Sequence, residues 1–195
     1  MKKSNIAALT ALAAVLAAIA AWSLTSSKSI LQSYKQLPKW GVSVVGIVFL
    51  LMLFIPNIIW SKKQPEGYEE SAKHENKTLL ALERAGEGLV SALVLTDRRL
   101  DKFSLSPRLG FIITALILMI MYELYWLGYF RSSRTLADMY SDYCGFPLAG
   151  AFLPVFAVFI MGVYACNVFL IAAAIILGIG HIGIHLMHCK ELEKT

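Results

Sequence analysis

Long stretches without Asp, Glu, Lys or Arg dominate the chain, and short polar segments separate them. A helix needs about 20 mostly apolar residues to cross a hydrocarbon core of roughly 30 Å. By this criterion the pattern predicts membrane-spanning helices at residues 6–24, 40–60 and 109–130. Only Glu123 interrupts the third of these segments.

A charge-free run from Tyr143 to Cys189 is too long for a single membrane-spanning helix. It predicts a helical hairpin of residues 147–164 and 168–187, with Asn167 in the tight turn. The two helices would then return the chain to the side of the membrane from which the run starts.

The segment 79–96 is ambiguous, because Glu83, Arg84 and Glu87 interrupt an otherwise apolar helix. An amphipathic surface helix would keep a polar face along its whole length. Beyond Glu87, however, residues 88–95 are apolar on all sides except at Ser91. We therefore interpret 79–96 as a further span.

These segments predict an all-α integral membrane bundle, a single membrane domain of about six transmembrane helices. The first helix has an alternative interpretation as a cleaved signal peptide, because Met1-Lys2-Lys3 precedes an apolar run with the small triplet Ala18-Ile19-Ala20. Cleavage would leave five helices. The length of the run favours an uncleaved anchor, since signal-peptide cores are about 7–15 residues long.

Composition agrees with a membrane protein. Of the 195 residues, 57% are hydrophobic and only 16% are charged, whereas soluble domains carry about 25% charged residues. This balance excludes intrinsic disorder, and three cysteines without a Cys-x-x-Cys motif do not indicate a disulfide framework. The net charge of +5 needs no nucleic-acid partner, because basic residues beside anionic lipids account for it.

Lys and Arg in the connecting segments set the expected orientation. Ten lie on the side of the termini and seven on the opposite side. We therefore expect a multi-pass plasma-membrane protein with both termini in the cytoplasm.

Ionisable residues within the spans fall at a common depth. At about 1.5 Å per residue, Glu87, Glu123 and His181 each lie about 12–13 Å from the charged segment that bounds their helix on the side of the termini. Charged groups in a membrane are costly and mark functional sites. The sequence predicts a polar cavity on this side, formed by Asn57, Glu83, Arg84, Glu87, Glu123, His181 and His185.

The polar residues at this common depth form a layer across the bundle. Their spacing along the helices allows two interpretations of that layer. Glu83 and Glu87 share a face at i, i+4, as do His181 and His185, so two helices present paired side chains to one centre. His181, His185 and Glu87 are candidate ligands for a divalent metal such as zinc. Alternatively, Arg84 pairs with Glu87 at i+3 or with Glu123 across helices, and the layer only holds the bundle together.

Two other polar or aromatic segments are interpreted more simply. The sequence from 61 to 78 carries charges of both signs and predicts a solvated connector with at most a short amphipathic turn. Four aromatic residues near the end of the fourth helix predict an aromatic belt at the membrane interface, and these are Tyr122, Tyr125, Trp126 and Tyr129.

Four short strings resemble a group of small uncharacterised bacterial polytopic membrane proteins. They are Pro56-Asn57-Ile58-Ile59-Trp60, then Glu75-Asn76-Lys77 with Leu82-Glu83-Arg84-Ala85-Gly86, and finally Gly180-His181-Ile182-Gly183-Ile184-His185. The resemblance covers residues 40 to 190 and implies a bacterial membrane protein. It implies no activity, because none is known for the group.

Three functions remain open from the sequence. The first is binding or transport of a small solute or cation through the polar cavity. The second is a metal-dependent intramembrane hydrolase of lipid-like substrates, with His181, His185 and a carboxylate holding zinc and Glu123 as the base. The third is a structural subunit that binds a membrane partner. No nucleotide-binding, serine-hydrolase or zinc-protease motif is present to name a reaction.

Overall fold

The computed structural model describes residues 32–103, 105 and 108–192. Within these residues the chain is all-helical. Helices α1 to α7 and one 3-10 helix follow in order: α1 Val44–Ser61, α2 Tyr68–Ala72, α3 Lys77–Thr96, the 3-10 helix Arg98–Asp101, α4 Leu109–Arg131, α5 Leu136–Met139, α6 Ala149–Ala165 and α7 Val168–Leu192. The predicted helix at 6–24 lies outside the described residues.

Each of the other five predicted segments coincides with a long helix, and polar residues set their ends. The side chain of Ser43 accepts from the Gly46 amide at 2.9 Å, so α1 begins at Val44, later than the predicted residue 40. Asn76 caps α3 by accepting from the Thr78 amide at 2.9 Å. Because a capping side chain satisfies amides that the helix leaves unpaired, it fixes where the helix begins.

Asn167 lies in the turn between α6 and α7, as predicted. Its side-chain oxygen accepts from the amides of Phe169 and Leu170, each at 3.1 Å, and so caps α7. Cys166 precedes it with a left-handed backbone, φ 50°. The hairpin of α6 and α7 is therefore closed by only two residues.

Within the described residues, three helices are long and apolar enough to cross a membrane, namely α1, α4 and α7. Helix α6 is equally apolar but has 17 residues, and α3 carries four charged residues. Large apolar side chains on the long helices point away from the bundle, including Ile58, Ile117 and Ile179, each more than half exposed. Such surfaces indicate a membrane protein, because soluble proteins rarely expose extended apolar patches.

The five long helices pack in a ring, in the order α1, α3, α7, α6, α4 and back to α1, and the most extensive contact is between α3 and α7. Two glycines allow that contact. A Cβ atom on Gly86 would lie 2.5 Å from the Leu177 Cα, and one on Gly180 would lie 2.3 Å from the Glu83 amide nitrogen. Small residues at helix crossings are the usual route to close packing between membrane helices.

The predicted aromatic belt is wrong. Tyr122, Tyr125, Trp126 and Tyr129 are between 1% and 6% exposed and form part of the core of the bundle. They lie on the face of α4 that meets its neighbours, and their rings pack edge to face at centroid distances of 5.4 to 6.1 Å. Although these residues lie near the end of the helix, they pack against other helices and do not face the membrane interface.

Candidate functional site

A polar cavity of about 400 Å³ opens at the end of the bundle where α1, α4 and α7 end and α3 begins. Its volume lies in the range of about 300–1,000 Å³ that is typical of small-molecule sites. We call this end of the bundle the cavity end. The predicted site residues that line the cavity are Asn57, Glu83, Arg84, Glu87, His181 and His185.

The Glu83–His181 pair lies where α3 crosses α7. Glu83 Oε1 is 2.5 Å from His181 Nδ1, and the two side chains are only 12% and 24% exposed. The pair forms because Gly180 brings the backbones of α3 and α7 into contact one residue away. Its position in the cavity wall means that a bound ligand would contact it.

A row of titratable and aromatic side chains continues from this pair toward the mouth. The rings of His181 and His185 have centroids 4.5 Å apart, and the Tyr140 ring stands edge-on to His185 at 5.4 Å. The Tyr140 hydroxyl is 2.6 Å from His188 Nδ1. On the other side of the His188 ring, His188 Nε2 lies 3.4 Å from Glu75 Oε1 without making a hydrogen bond.

Tyr140 is held in this row by the short helix α5. The Thr135 side chain accepts from the Asp138 amide at 3.1 Å, and the Asp138 carboxylate accepts from the Thr135 amide at 2.9 Å. These reciprocal hydrogen bonds form a capping box. The hydrogen bond from the Thr135 backbone lowers the pKa of Asp138. The Tyr125 hydroxyl also donates to the carbonyl of Met139, next to Tyr140.

The segment between α1 and α3 supplies two further residues to the cavity wall. Burial raises the pKa of Glu75, and the nearby Glu83 carboxylate raises it further. Burial also raises the pKa of Tyr68 to about 12, and its ring packs edge-on against Trp60 with centroids 4.8 Å apart. The predicted solvated connector therefore folds in part against the helices.

Charges around the cavity are predominantly negative. Three glutamates line it, whereas Arg84 is the one lysine or arginine among its described lining residues. Arg84 Nη1 is 3.0 Å from Glu87 Oε2, and this is the i, i+3 ion pair predicted as the structural alternative. Both side chains remain substantially exposed, at 69% and 44%, so this pair stays accessible.

Glu123 is separated from the other predicted site residues. It is not among the residues that line the polar cavity, and its Oε1 is buried without a hydrogen-bond partner among the described residues. Its neighbour Tyr122 contacts a residue of the cavity lining, since the Tyr122 hydroxyl accepts from Asn57 Nδ2 at 3.1 Å. The same Asn57 amide nitrogen donates to the Leu53 carbonyl at 2.8 Å.

A smaller pocket of about 140 Å³ lies deeper in the bundle and is mostly apolar. Asn57, Glu87 and His181 line both spaces. These three residues therefore stand at the boundary between the polar cavity and an apolar chamber near the centre of the bundle.

The predicted metal ligands His181, His185 and Glu87 line the same cavity. Among the described residues, however, no group of three or more His, Cys, Asp or Glu side chains is arranged to hold a metal ion. His181 is engaged by Glu83, and Glu87 by Arg84. The predicted metal ligands are therefore paired with neighbouring side chains and are not gathered around one point.

Sequence reasoning missed Glu75, Tyr68 and Tyr140 as residues of the site. A usable signal existed only for Glu75, because Asn76 is a favourable N-cap and would have placed Glu75 directly before α3. Comparison of the chain with protein-family models, curated proteins and solved structures finds no match.

Proposed function

We propose that this protein is a six-helix membrane protein whose polar cavity binds a small cation, inorganic or organic, for passage across the plasma membrane. The observation that carries the proposal is that three glutamates, Glu75, Glu83 and Glu87, line the cavity, whereas Arg84 is the one lysine or arginine among its described lining residues. A cavity with more carboxylates than fixed cations attracts a positively charged ligand.

The aromatic side chains of the wall extend the range of suitable cations. Trp60, Tyr68 and Trp126 line the cavity beside the carboxylates. Ammonium groups bind to the faces of such rings as well as to carboxylates. The ligand class therefore includes alkylammonium ions as well as simple metal cations such as sodium.

A transport role is supported by the deeper apolar pocket. Because His181 and Glu87 line both spaces, a cation that displaces their present partners would gain access to the centre of the bundle. Intramembrane carboxylate and histidine residues commonly mark ion pathways. In the proposed orientation, with both termini cytoplasmic, the polar cavity opens to the cytoplasm of a bacterial cell.

The first experiment uses two probes, methylammonium and sodium, on the full chain purified in detergent. Each is added at constant ionic strength, and the unfolding temperature is measured. A ligand that binds only the folded state raises this temperature, and the stabilisation grows with the logarithm of the ligand concentration above Kd. We expect a rise with at least one probe, and the probe that acts distinguishes an organic from an inorganic cation.

The matched variants are Glu83→Gln and Glu69→Gln. Glu83 lines the cavity, whereas Glu69 is exposed at the same end and lies outside the lining. Glu83→Gln should abolish most of the rise and Glu69→Gln should preserve it. Equal shifts in the wild type and Glu83→Gln would contradict the proposed site.

A further inference from the structure

A second cavity, of about 320 Å³, lies at the opposite end of the bundle. Three connecting segments form it: the residues before α1, the α3–α4 connection and the α6–α7 turn. Four basic side chains line it, and no Asp or Glu is among its described lining residues. They are Lys39, Arg99, Lys102 and Arg108, and we call this space the basic pocket.

One of the four charges is already neutralised. Arg99 makes an ion pair with Asp97 at 2.7 Å, and the two side chains are 9% and 0% exposed. Asp97 also accepts from Asn167 Nδ2 at 2.8 Å, and Arg99 Nη1 donates to the carbonyls of Gln36 and Cys166. Arg99 therefore serves mainly to join the three segments, and the other three cations carry the charge of the pocket.

Hydrogen bonds fix the backbones of two of these cations, Lys39 and Lys102, at the pocket. The backbone of Lys39 is fixed because its carbonyl accepts from the Arg98 amide at 3.0 Å. The carbonyl of Lys102 accepts from the Tyr164 hydroxyl at 2.6 Å. The two ammonium groups are close enough that Lys39 lowers the pKa of Lys102. Neither lysine makes an ion pair with an acidic residue in the described part of the chain.

Helix α4 adds to the positive potential. Arg108 directly precedes α4, and its side chain makes no capping hydrogen bond to the first amides of the helix. The first amides of a helix and its dipole favour a negative ligand at this position. A 23-residue helix thus points its positive end toward a pocket that already has an excess of cations.

We infer that the basic pocket is a binding site for a phosphate-type oxyanion, carried either by the headgroup of an anionic lipid or by free phosphate. Arg108 supplies a planar guanidinium fork that matches phosphate oxygens, while Lys39 and Lys102 supply two point charges from different segments. The bound anion would relieve the repulsion between the two lysines. This inference rests on residues separate from the polar cavity and does not depend on the proposed cation function.

The test separates the two sources of the phosphate group. In one arm, inorganic phosphate is titrated into the full chain in detergent at constant ionic strength, and its Kd is measured. In the other arm, the protein is reconstituted in nanodiscs of phosphatidylcholine with phosphatidylglycerol. Native mass spectrometry then records which lipid stays bound to the protein after it is released from the nanodisc. Measurable binding of free phosphate identifies the free anion, and selective retention of phosphatidylglycerol identifies the headgroup.

The variants are the double substitution Lys39→Gln with Lys102→Gln, and Arg108→Gln. Arg131→Gln is the matched control, because Arg131 is exposed at the other end of the same helix. We expect the double variant and Arg108→Gln each to weaken binding by about tenfold or more, and the control to match the wild type.

The double variant should remain folded, since both lysines are exposed and their removal ends a like-charge contact. Its unfolding temperature without added anion should equal or exceed that of the wild type. The inference is overturned if the wild type binds neither probe, or if Arg131→Gln weakens binding as much as the pocket variants do.

Discussion

Gly180 lies against the backbone of Glu83, and this contact sets the geometry of the polar cavity. A Cβ atom at position 180 would be 2.3 Å from the Glu83 amide nitrogen and 2.7 Å from its Cα. The next residue, His181, therefore reaches the Glu83 carboxylate at 2.5 Å. The Glu83–His181 contact in the cavity wall thus depends on a residue without a side chain.

Gly180→Ala should destabilise the protein by about 1–3 kcal/mol, because the added methyl group forces α3 and α7 apart. The matched control is Gly88→Ala on α3, where an added Cβ atom would meet nothing within 4 Å. That change should be neutral or stabilising by up to about 1 kcal/mol, owing to the higher helix propensity of alanine. Thermal unfolding of both variants in detergent checks the difference. Equal stabilities would show that the close crossing is not needed.

Asp97→Asn should be among the most damaging polar substitutions. Asp97 is fully buried between Arg99 and Asn167, and its neutralisation leaves the Arg99 guanidinium buried without a counter-ion. Breaking a buried ion pair in this way costs about 3–5 kcal/mol. The comparison is Lys73→Gln, which breaks the exposed Lys73–Glu70 pair of 2.7 Å and should cost less than about 1 kcal/mol. Unfolding midpoints that rank these two variants in the opposite order would refute the account of Asp97.

Asp138 should make stability depend on pH in the acid range. Its pKa in the folded protein is held below the usual 3.8 by the Thr135 backbone hydrogen bond. A lowered carboxyl pKa contributes stability that is present above the unfolded-state pKa and is lost as pH falls through the folded-state pKa. Asp138→Asn should therefore lower stability at about pH 7, by less than about 1 kcal/mol, and the difference from the wild type should disappear as pH falls below 3.8 and through the folded-state pKa.

Denaturant unfolding across this pH range measures the effect of Asp138. Glu66→Gln is the control, because Glu66 is exposed in the same region and should give no such convergence. A constant difference between the wild type and Asp138→Asn at all pH values would exclude a contribution from its ionisation.

Cysteine labelling in cells tests the proposed orientation. Cys144 is exposed at the cavity end, and Leu105 is 100% exposed at the opposite end. In a background with Cys166→Ala and Cys189→Ala, Cys144 should resist a membrane-impermeant maleimide. After its replacement by alanine, Leu105→Cys should be labelled from outside. The reverse pattern would place the polar cavity on the outer side.

Hydropathy sufficed to predict the five long helices in the described chain and the turn at Asn167, because an apolar run of helical length has few alternatives. The predicted bounds match the structure at the end of α3, before Asp97, and at the start of α7, after Asn167. Helix α7 continues to Leu192, beyond the predicted residue 187, because polar residues at a helix end do not by themselves stop a helix.

The site was predictable only in part. Residues at equal depth on neighbouring helices, such as Glu87 and His181, do line one cavity. The depth of a residue in the membrane does not determine how its helix is rotated about its own axis. The sequence therefore did not predict that Glu123 lies outside the cavity lining. Glu75 and Tyr140 reach His188 through connecting segments whose path depends on packing that hydropathy does not report.

The central claim is that the polar cavity binds a cation through the carboxylate of Glu83. Equilibrium dialysis of radiolabelled methylammonium and of sodium against the purified full chain tests it most directly, with Glu83→Gln and Glu69→Gln alongside. We expect saturable binding of at least one probe, weakened by about tenfold or more in Glu83→Gln and unchanged in Glu69→Gln. Binding of equal affinity in all three proteins, or no saturable binding of either cation, would contradict it.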